Sequence, residues 1–451
     1  MSATHFKPND SYRDSIATID AAGARVWLYP KKPSGRLYRR RKLLSYGFLA
    51  LLFAGPWLRI HDLPVLLLNL PARKFIIFGQ IFWPQDFFIL LLATLTFLVF
   101  IILFTVVYGR VFCGWVCPQT IFLEMVFRRI ENWIEGDRIQ QQKLDDGPLS
   151  ADKLFKKTLK HSLFLGISFL IANTFLAYLI GSDTLIQIIT EPVNAHLSGL
   201  ISLGIFSLLF YLVFSRMREL VCTVACPYGR LQGVLLDNQS ILVAYDYSRG
   251  EPRQKIRKGV ESEHGDCIDC NLCVQVCPTG IDIRNGTQME CVNCTACIDA
   301  CDMVMEKTHR PLRLIGFKSE TEIKTKSAFK ISPKVYGYTG VLLALISFLL
   351  FLLFTRSPVK TTILRASGTL YQLNDVNGTV SNLYTAEMVN KTNGTINFQI
   401  VPDNKSAKIQ YIEKPDSITY GGSTKTTFFL ILPQADIEKY KTSVGFRILS
   451  K

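Results

Sequence analysis

The sequence predicts a multidomain membrane protein with three folded parts: an all-α transmembrane bundle of five spans, a small cysteine-rich α+β insert, and a C-terminal all-β, immunoglobulin-like sandwich. Three observations predict it. Hydrophobic residues make up 49% of the 451-residue chain, and they bunch into long runs instead of recurring periodically. Eight of the twelve cysteines stand in two consecutive arrays of one spacing. Beyond residue 356 the pattern alternates with a period of two, and cysteine disappears.

Five runs are long enough to cross a bilayer, which takes roughly 17–25 apolar residues. They cover 43–60, 87–108, 162–180, 196–214 and 336–355. Ten Lys or Arg precede the first within 42 residues, and no small-residue cleavage pattern follows it. It therefore predicts a retained helix and not a cleaved signal. Residues 63–83 are also apolar, but Pro64, Pro71, Arg73 and Lys74 interrupt them. A re-entrant or interfacial segment is expected there in place of a sixth span.

The net charge of +15 does not point to nucleic acid, because its placement follows the spans. Lys31, Lys32, Arg36, Arg39, Arg40, Arg41 and Lys42 precede the first run, further basic residues gather after the second and between the fourth and fifth, and 61–86 has only Arg73 and Lys74. Positive loops stay in the cytoplasm. The N-terminus is thus expected inside, the C-terminus in the periplasm, and the chain multi-pass in a bacterial inner membrane. The expected domains are a loosely ordered basic tail (1–42), a four-span membrane domain (43–235), a cytoplasmic insert (236–335), a fifth transmembrane helix (336–355) and a periplasmic sandwich (356–451).

The insert carries the chemistry. Cys267, Cys270, Cys273 and Cys277 read C-x-x-C-x-x-C-x-x-x-C-P, and Cys291, Cys294, Cys297 and Cys301 repeat the spacing. This is the bacterial ferredoxin spacing for a pair of [4Fe–4S] clusters, in which the fourth thiolate of each array reaches the other cube. Cys267, Cys270, Cys273 and Cys301 are therefore expected on one cluster, and Cys291, Cys294, Cys297 and Cys277 on the other. Structural zinc uses two separated pairs, often with histidine, and disulfides belong to oxidising compartments. Pro278 follows Cys277, but Asp302 follows Cys301, which weakens the expectation of a turn at the second array.

The other four cysteines form two C-x-x-x-C-P pairs, Cys113/Cys117 and Cys222/Cys226, each just after an apolar run. Cysteines at i and i+4 share one face of a helix, and each pair is followed by a proline expected to stop that helix. If the two halves pack together, the four thiolates can meet at the membrane edge. Soft thiolates select Cu(I), zinc or iron–sulfur. The readings are a copper-reducing site, a redox disulfide, a further cluster, or four simply buried thiols. Ile121, Phe122, Met125 and Val126 with Arg128, Arg129 and Glu131 predict an amphipathic helix along the inner surface.

Beyond the last span the tail reads as an antiparallel sandwich, several short strands separated by turn residues. Ile396, Phe398 and Ile400 alternate with polar neighbours after an Asn393–Gly394 turn, and strand-like runs recur near 379–389, 406–412, 424–432 and 443–449. His161 and His196 stand at opposite ends of neighbouring spans, so neither reads as a haem ligand. No G-x-G-x-x-G follows a strand. Electrons are therefore expected from quinol or from a cytoplasmic reductase.

Taken together, the motifs resemble the CcoG/FixG/RdxA family of membrane polyferredoxins, the cytochrome c oxidase accessory proteins. The resemblance runs through Phe82-Trp83-Pro84-Gln85-Asp86-Phe87, Cys113-Gly114-Trp115-Val116-Cys117-Pro118, Cys226-Pro227-Tyr228-Gly229-Arg230-Leu231-Gln232, Tyr245 to Arg253, both arrays, and Asn382 to Thr392. It implies a membrane-bound oxidoreductase that reduces Cu(II) to Cu(I) at Cys113, Cys117, Cys222 and Cys226 for assembly of cbb-type cytochrome oxidase. It also implies membrane lipid and oxidase assembly factors or copper chaperones as partners. A plain electron relay and a copper-binding chaperone are the alternatives.

Overall fold

The structure is a computed structural model that describes residues 18, 19, 22, 24–60, 63–69, 74–77, 79–82, 87–255, 265–326, 333–355, 359–366, 371–374, 378–391, 394–412, 417–419, 422–437 and 442–450. The expected Asn393–Gly394 turn and Trp83 to Asp86 lie partly or wholly outside the described residues. The chain divides into two compact units, one of 1–58 with 90–347 and one of 59–89 with 348–451.

Among the described residues, four helices are long and apolar enough to cross a membrane: Phe88–Tyr108, Ala151–Ile180, Leu197–Met217 and Pro333–Phe354. The protein is a membrane protein. Each helix matches an expected run, although the second starts eleven residues early because Ser150 caps it by accepting from the Lys153 amide. The run 43–60 differs. Its helix spans Arg36–Ala54, so its first turns carry Arg36, Arg39, Arg40, Arg41 and Lys42, and it stops before Gly55.

Inside the first unit, Phe127, Phe164, Ile171 and Phe214 form the buried centre of the bundle, with Phe127 and Phe214 stacked at 4.5 Å. The segment after Cys117 supplies Phe122, Leu123 and Phe127 to this core. The expected surface helix is thus corrected. It turns inward because it is apolar on more than one face, and its Arg128 and Glu131 are buried with ionic partners instead of lying in the headgroups.

The insert folds around an antiparallel pair, Leu242–Tyr245 with Ile315–Lys318, joined in register from Leu242↔Lys318 to Tyr245↔Ile315. Between them lie the short helix Leu272–Gln275 and the longer Ala296–Lys307. The expected loosely ordered tail is corrected for 24–42. The Lys31 amide donates to Gln275 O at 2.7 Å, and the Leu37 and Tyr38 amides donate to the Asp299 carboxylate at 3.1 and 2.7 Å. Basic composition concealed a strap, because its bonds, from backbone amides and from side chains such as Arg25 and Tyr29, go to residues more than a hundred positions away.

In the second unit, 63–82 form short antiparallel strands, Leu66–Asn69 with Lys74–Ile77 and then Gln80–Phe82. No helical sixth span or helical re-entrant segment is present among the described residues there, as the prolines would dictate. The C-terminal part is a sandwich. One sheet orders Lys408–Tyr411, Ser423–Pro433, Thr379–Asn390 and Val359–Arg365, with Gln372–Asn374 also on the third strand. The other pairs Phe398–Pro402 with Phe446–Ser450. Ala386, Met388, Phe428 and Leu430 of the first face Phe398 and Ile400 of the second in one core.

Candidate functional site

The ferredoxin spacing folds into two cavities, and each gathers four cysteines drawn from both arrays. Cys267, Cys270, Cys273 and Cys301 line one, with Tyr245, Arg284 and Met305. Cys277, Cys291, Cys294 and Cys297 line the other, with Cys273 at its edge. The exchange of Cys277 and Cys301 arises because each ends its array by leaving on another element. Cys277 follows the helix Leu272–Gln275, and Cys301 sits within Ala296–Lys307. The missing second proline is explained there too. Asp302 lies inside a helix, where proline would remove a hydrogen bond and clash, and its carboxylate accepts from the Arg313 amide at 2.8 Å.

All twelve cysteines are free. Burial pushes Cys273, Cys291 and Cys301 up to about 12 and Cys294 up to about 11, with neighbouring thiols adding to the rise. Such groups become thiolates when a cation holds them. Among the described residues, no three His, Cys, Asp or Glu side chains converge at single-ion distance. The thiols surround spaces instead, as ligands of a multi-iron group must.

The two C-x-x-x-C-P pairs are brought together. Cys222 is pushed up to about 12, first by burial and then by Cys117, Cys113 and Cys226, while Arg110 opposes the rise. The helix geometry differs from expectation. Cys113 lies in the short helix Val111–Trp115 and Cys222 in a wide turn, Val221–Ala225. Cys117 and Cys226 then cap new helices whose first residues are Pro118 and Pro227. The prolines therefore start helices, since the first helical position needs no N–H donor. Each pair straddles a break and does not share one helix face.

The pairs adjoin the second cavity. Cys113 shares a core with Val292 and Cys294. Gly114 allows this approach, because a Cβ there would stand 3.0 Å from Cys294 N and Cα and closer still to the Val292 carbonyl. Several polar groups around the joint were not anticipated from sequence. Arg41, 1% exposed, donates from Nε to Gly114 O at 2.7 Å. Arg110 Nε donates to Gln232 Oε1 at 2.9 Å, and the Cys113 thiol reaches the same oxygen at 3.2 Å. Arg41 Nη2, Gln232 Nε2 and Asn293 Nδ2 are buried donors without an acceptor among the described residues. Cluster sulfides and metal-bound thiolates are acceptors, so these donors fit iron–sulfur groups at the site. The one signal in the sequence was the arginine set just before each pair, Arg110 and Arg218.

An ionic network lies beside the pairs. Arg218 is bidentate to Glu131 at 2.8 Å, Arg128 reaches Glu219 at 3.1 Å, and Arg25 of the strap reaches the same Glu219 at 3.2 Å. Burial alone would raise the Glu131 carboxyl, but Arg218, Lys160 and Arg128 hold it below its ordinary value. Arg128 also donates to Pro278 O at 2.9 Å, beside Cys277. The two histidines stay apart from all of this: His161 Nδ1 pairs with the Tyr211 hydroxyl at 2.9 Å, and His196 with Glu191.

Comparison with known proteins agrees with this geometry. A 4Fe–4S dicluster domain profile matches residues 217–320, a 4Fe–4S binding domain profile matches 90–137, and the profile of the Ig-like fold at the C-terminus of FixG matches 349–451. Protein RdxB of Cereibacter sphaeroides is 34% identical over 83% of this chain and 81% of its own length. The chain belongs to the FixG/RdxA family. Protein RdxA of the same organism is 32% identical over 86% of this chain and 85% of its own length. The nitrogen fixation protein FixG of Rhizobium meliloti is 34% identical over 70% of this chain, and the match spans 63% of that relative. No solved structure matches. With its two 4Fe–4S domain matches, this FixG/RdxA protein is an iron–sulfur electron-transfer protein.

Proposed function

We propose that the protein reduces Cu(II) to Cu(I) at a membrane-edge thiol site and so serves assembly of a cbb-type cytochrome oxidase. One cluster would be held by Cys267, Cys270, Cys273 and Cys301, and the other by Cys277, Cys291, Cys294 and Cys297. When bound, the clusters supply single electrons. The substrate ion would take one electron beside Cys113, Cys117, Cys222 and Cys226, whose thiols would have to close in to hold it, since no three converge at single-ion distance among the described residues. Thiolates there favour the softer product, and Arg110 offsets their negative charge. The observation that carries the reading is the shared core of Cys113 and Cys294, which sets the thiol site against the second cavity.

Five crossings fit the contacts within the first unit. The helix Arg36–Ala54 begins where Arg41 meets Gly114 and ends where the Tyr178 hydroxyl donates to Leu52 O at 2.9 Å, near the far end of Ala151–Ile180. Its apolar residues 43–54 extend about 18 Å, so a full crossing would draw on residues beyond Ala54. The insert and the strap would then lie in the cytoplasm and the sandwich in the periplasm, where it would dock assembly factors or copper chaperones.

The test uses anaerobically purified protein, reduced and freed of reductant. Added Cu(II) should lose its paramagnetic signal as the cluster absorbance returns, and the Cys222→Ser/Cys226→Ser variant should retain its clusters but leave Cu(II) untouched. Unchanged turnover in that variant would sink the reading. A second reading is favoured by the 4Fe–4S match over 90–137, which contains Cys113 and Cys117: the four thiols hold a third cluster. It predicts half as much iron again as two clusters contain.

A further inference from the structure

Where the spans Ala151–Ile180 and Leu197–Met217 end beside the ionic network, they enclose a cavity of about 500 Å³, within the range of small-molecule sites. Trp27, Glu131, Lys157, Lys160, His161 and Tyr211 line it, together with Phe164, Leu212, Ser215 and Arg216. Its charges are largely spoken for. Lys160 meets Glu135 at 2.9 Å and Glu131 at 3.8 Å, Lys157 meets Glu135 at 2.9 Å and Asp145 at 2.5 Å, and Glu131 is clasped by Arg218.

Among the described residues Arg216, exposed at the rim, is the one lining cation without an ion pair, and the rest of the capacity left for a ligand is neutral. The Ser215 side chain is buried, 5% exposed, and its hydroxyl has no hydrogen-bond partner among the described residues. Tyr211 and His161 bond each other at 2.9 Å, which leaves the imidazole Nε2 and the second lone pair of the phenol. Phe164 supplies an apolar wall, while His161 and Leu212 are exposed on the bundle's flank. A phosphate headgroup would need more uncompensated cations than the single Arg216 at the rim, whereas a neutral ring bearing two oxygens needs dispersed donors and acceptors.

We propose that this cavity binds the ring of a lipid-soluble hydroquinone or its quinone. The inference rests on the electron-transfer character of the protein and not on the copper reading. With the Nδ1 proton donated to the Tyr211 oxygen, His161 Nε2 faces the cavity as a proton acceptor. A hydroquinone leaving as quinone gives up two electrons, one for each of two iron–sulfur clusters. It also gives up two protons, which His161 takes in turn and passes to the aqueous face beside Lys157.

The experiment uses the full chain, purified without air, with decylubiquinol as the reductant and decylubiquinone binding read by quenching of tryptophan fluorescence. Decylubiquinol should bleach the cluster absorbance. Tyr211→Phe and Ser215→Ala should each weaken quinone binding several-fold, and His161→Gln should slow bleaching about tenfold or more, the scale of one lost hydrogen bond. Iron content and the spectrum after dithionite should stay unchanged in all three, which separates a damaged site from a damaged fold. Equal binding and equal bleaching in wild type and variants would overturn the proposal. So would displacement of decylubiquinone by inorganic phosphate, which would mark the cavity as a phosphate or lipid-headgroup site. Failure here leaves the copper test untouched, since that test starts from protein already reduced.

Discussion

Gly114 is where a single methyl group should uncouple the thiol site from the insert. Its Cβ would fall 3.0 Å from the backbone N and Cα of Cys294 and nearer still to Val292 O. Those atoms belong to the loop that leads into the second cavity, so no flexible side chain can give way. Overpacking of this kind costs about 1–3 kcal/mol. The helical preference of Ala over Gly returns about 1 kcal/mol. The bond from buried Arg41 to Gly114 O, charge-assisted and worth about 1.5–3 kcal/mol, is also at risk when the loop shifts. With the Arg41 bond lost as well, Gly114→Ala should therefore lose about 1.5–5 kcal/mol, concentrated at the second array. Because a multidomain chain has no single unfolding energy, the assay is the rate at which cluster absorbance disappears on heating. Gly204→Ala is the matched control, since nothing lies within 4 Å of that position in its apolar helix. The control should hold its clusters at least as long as wild type. Should Gly114→Ala do the same with full iron content, the close approach is not what joins the two sites.

Three further outcomes follow from the same geometry. Glu131→Gln leaves Arg218 buried, 3% exposed, without its bidentate partner, and should cost about 3–5 kcal/mol, seen as poor yield and early thermal loss of clusters. Asp302→Pro would complete the ferredoxin pattern yet break the helix Ala296–Lys307, for about 3 kcal/mol; its iron content should fall, not rise. Burial alone would raise the Asp246 carboxyl, but hydrogen bonds from Lys318 and Ser248 hold it below its ordinary value. Its contribution is thus complete above the unfolded value of about 3.9 and lost as pH falls through the depressed one. Amide exchange in Leu242–Tyr245 should accelerate below about pH 4, and Asp246→Asn should flatten that dependence.

The sequence was most readable where a short spacing dictates the geometry. Two arrays of four cysteines placed both cavities and even the crossed-over Cys277 and Cys301, because three thiols on one loop cannot close a four-thiol set. Runs of uninterrupted apolar residues placed four helices, and alternation placed most of the sandwich. Val359–Arg365 escaped notice, since Lys360, Thr361 and Thr362 hide any alternation. The readings that failed depended on long-range packing. Local chemistry cannot tell that Pro118 starts a helix after a break, or that Arg128 and Glu131 find partners 91 and 87 residues away. The hub of Arg41, Arg110 and Gln232 was invisible for the same reason.

The strap of residues 24–38 is made well before its partners. Glu219 follows Arg25 by 194 residues, and Asp299 follows Leu37 by 262. Three long apolar helices must be threaded into lipid before either appears. The strap therefore acts as a latch that can shut only once the insert has been made. A bulky fusion placed ahead of it would burden that closing step and leave insertion of the earlier helices alone.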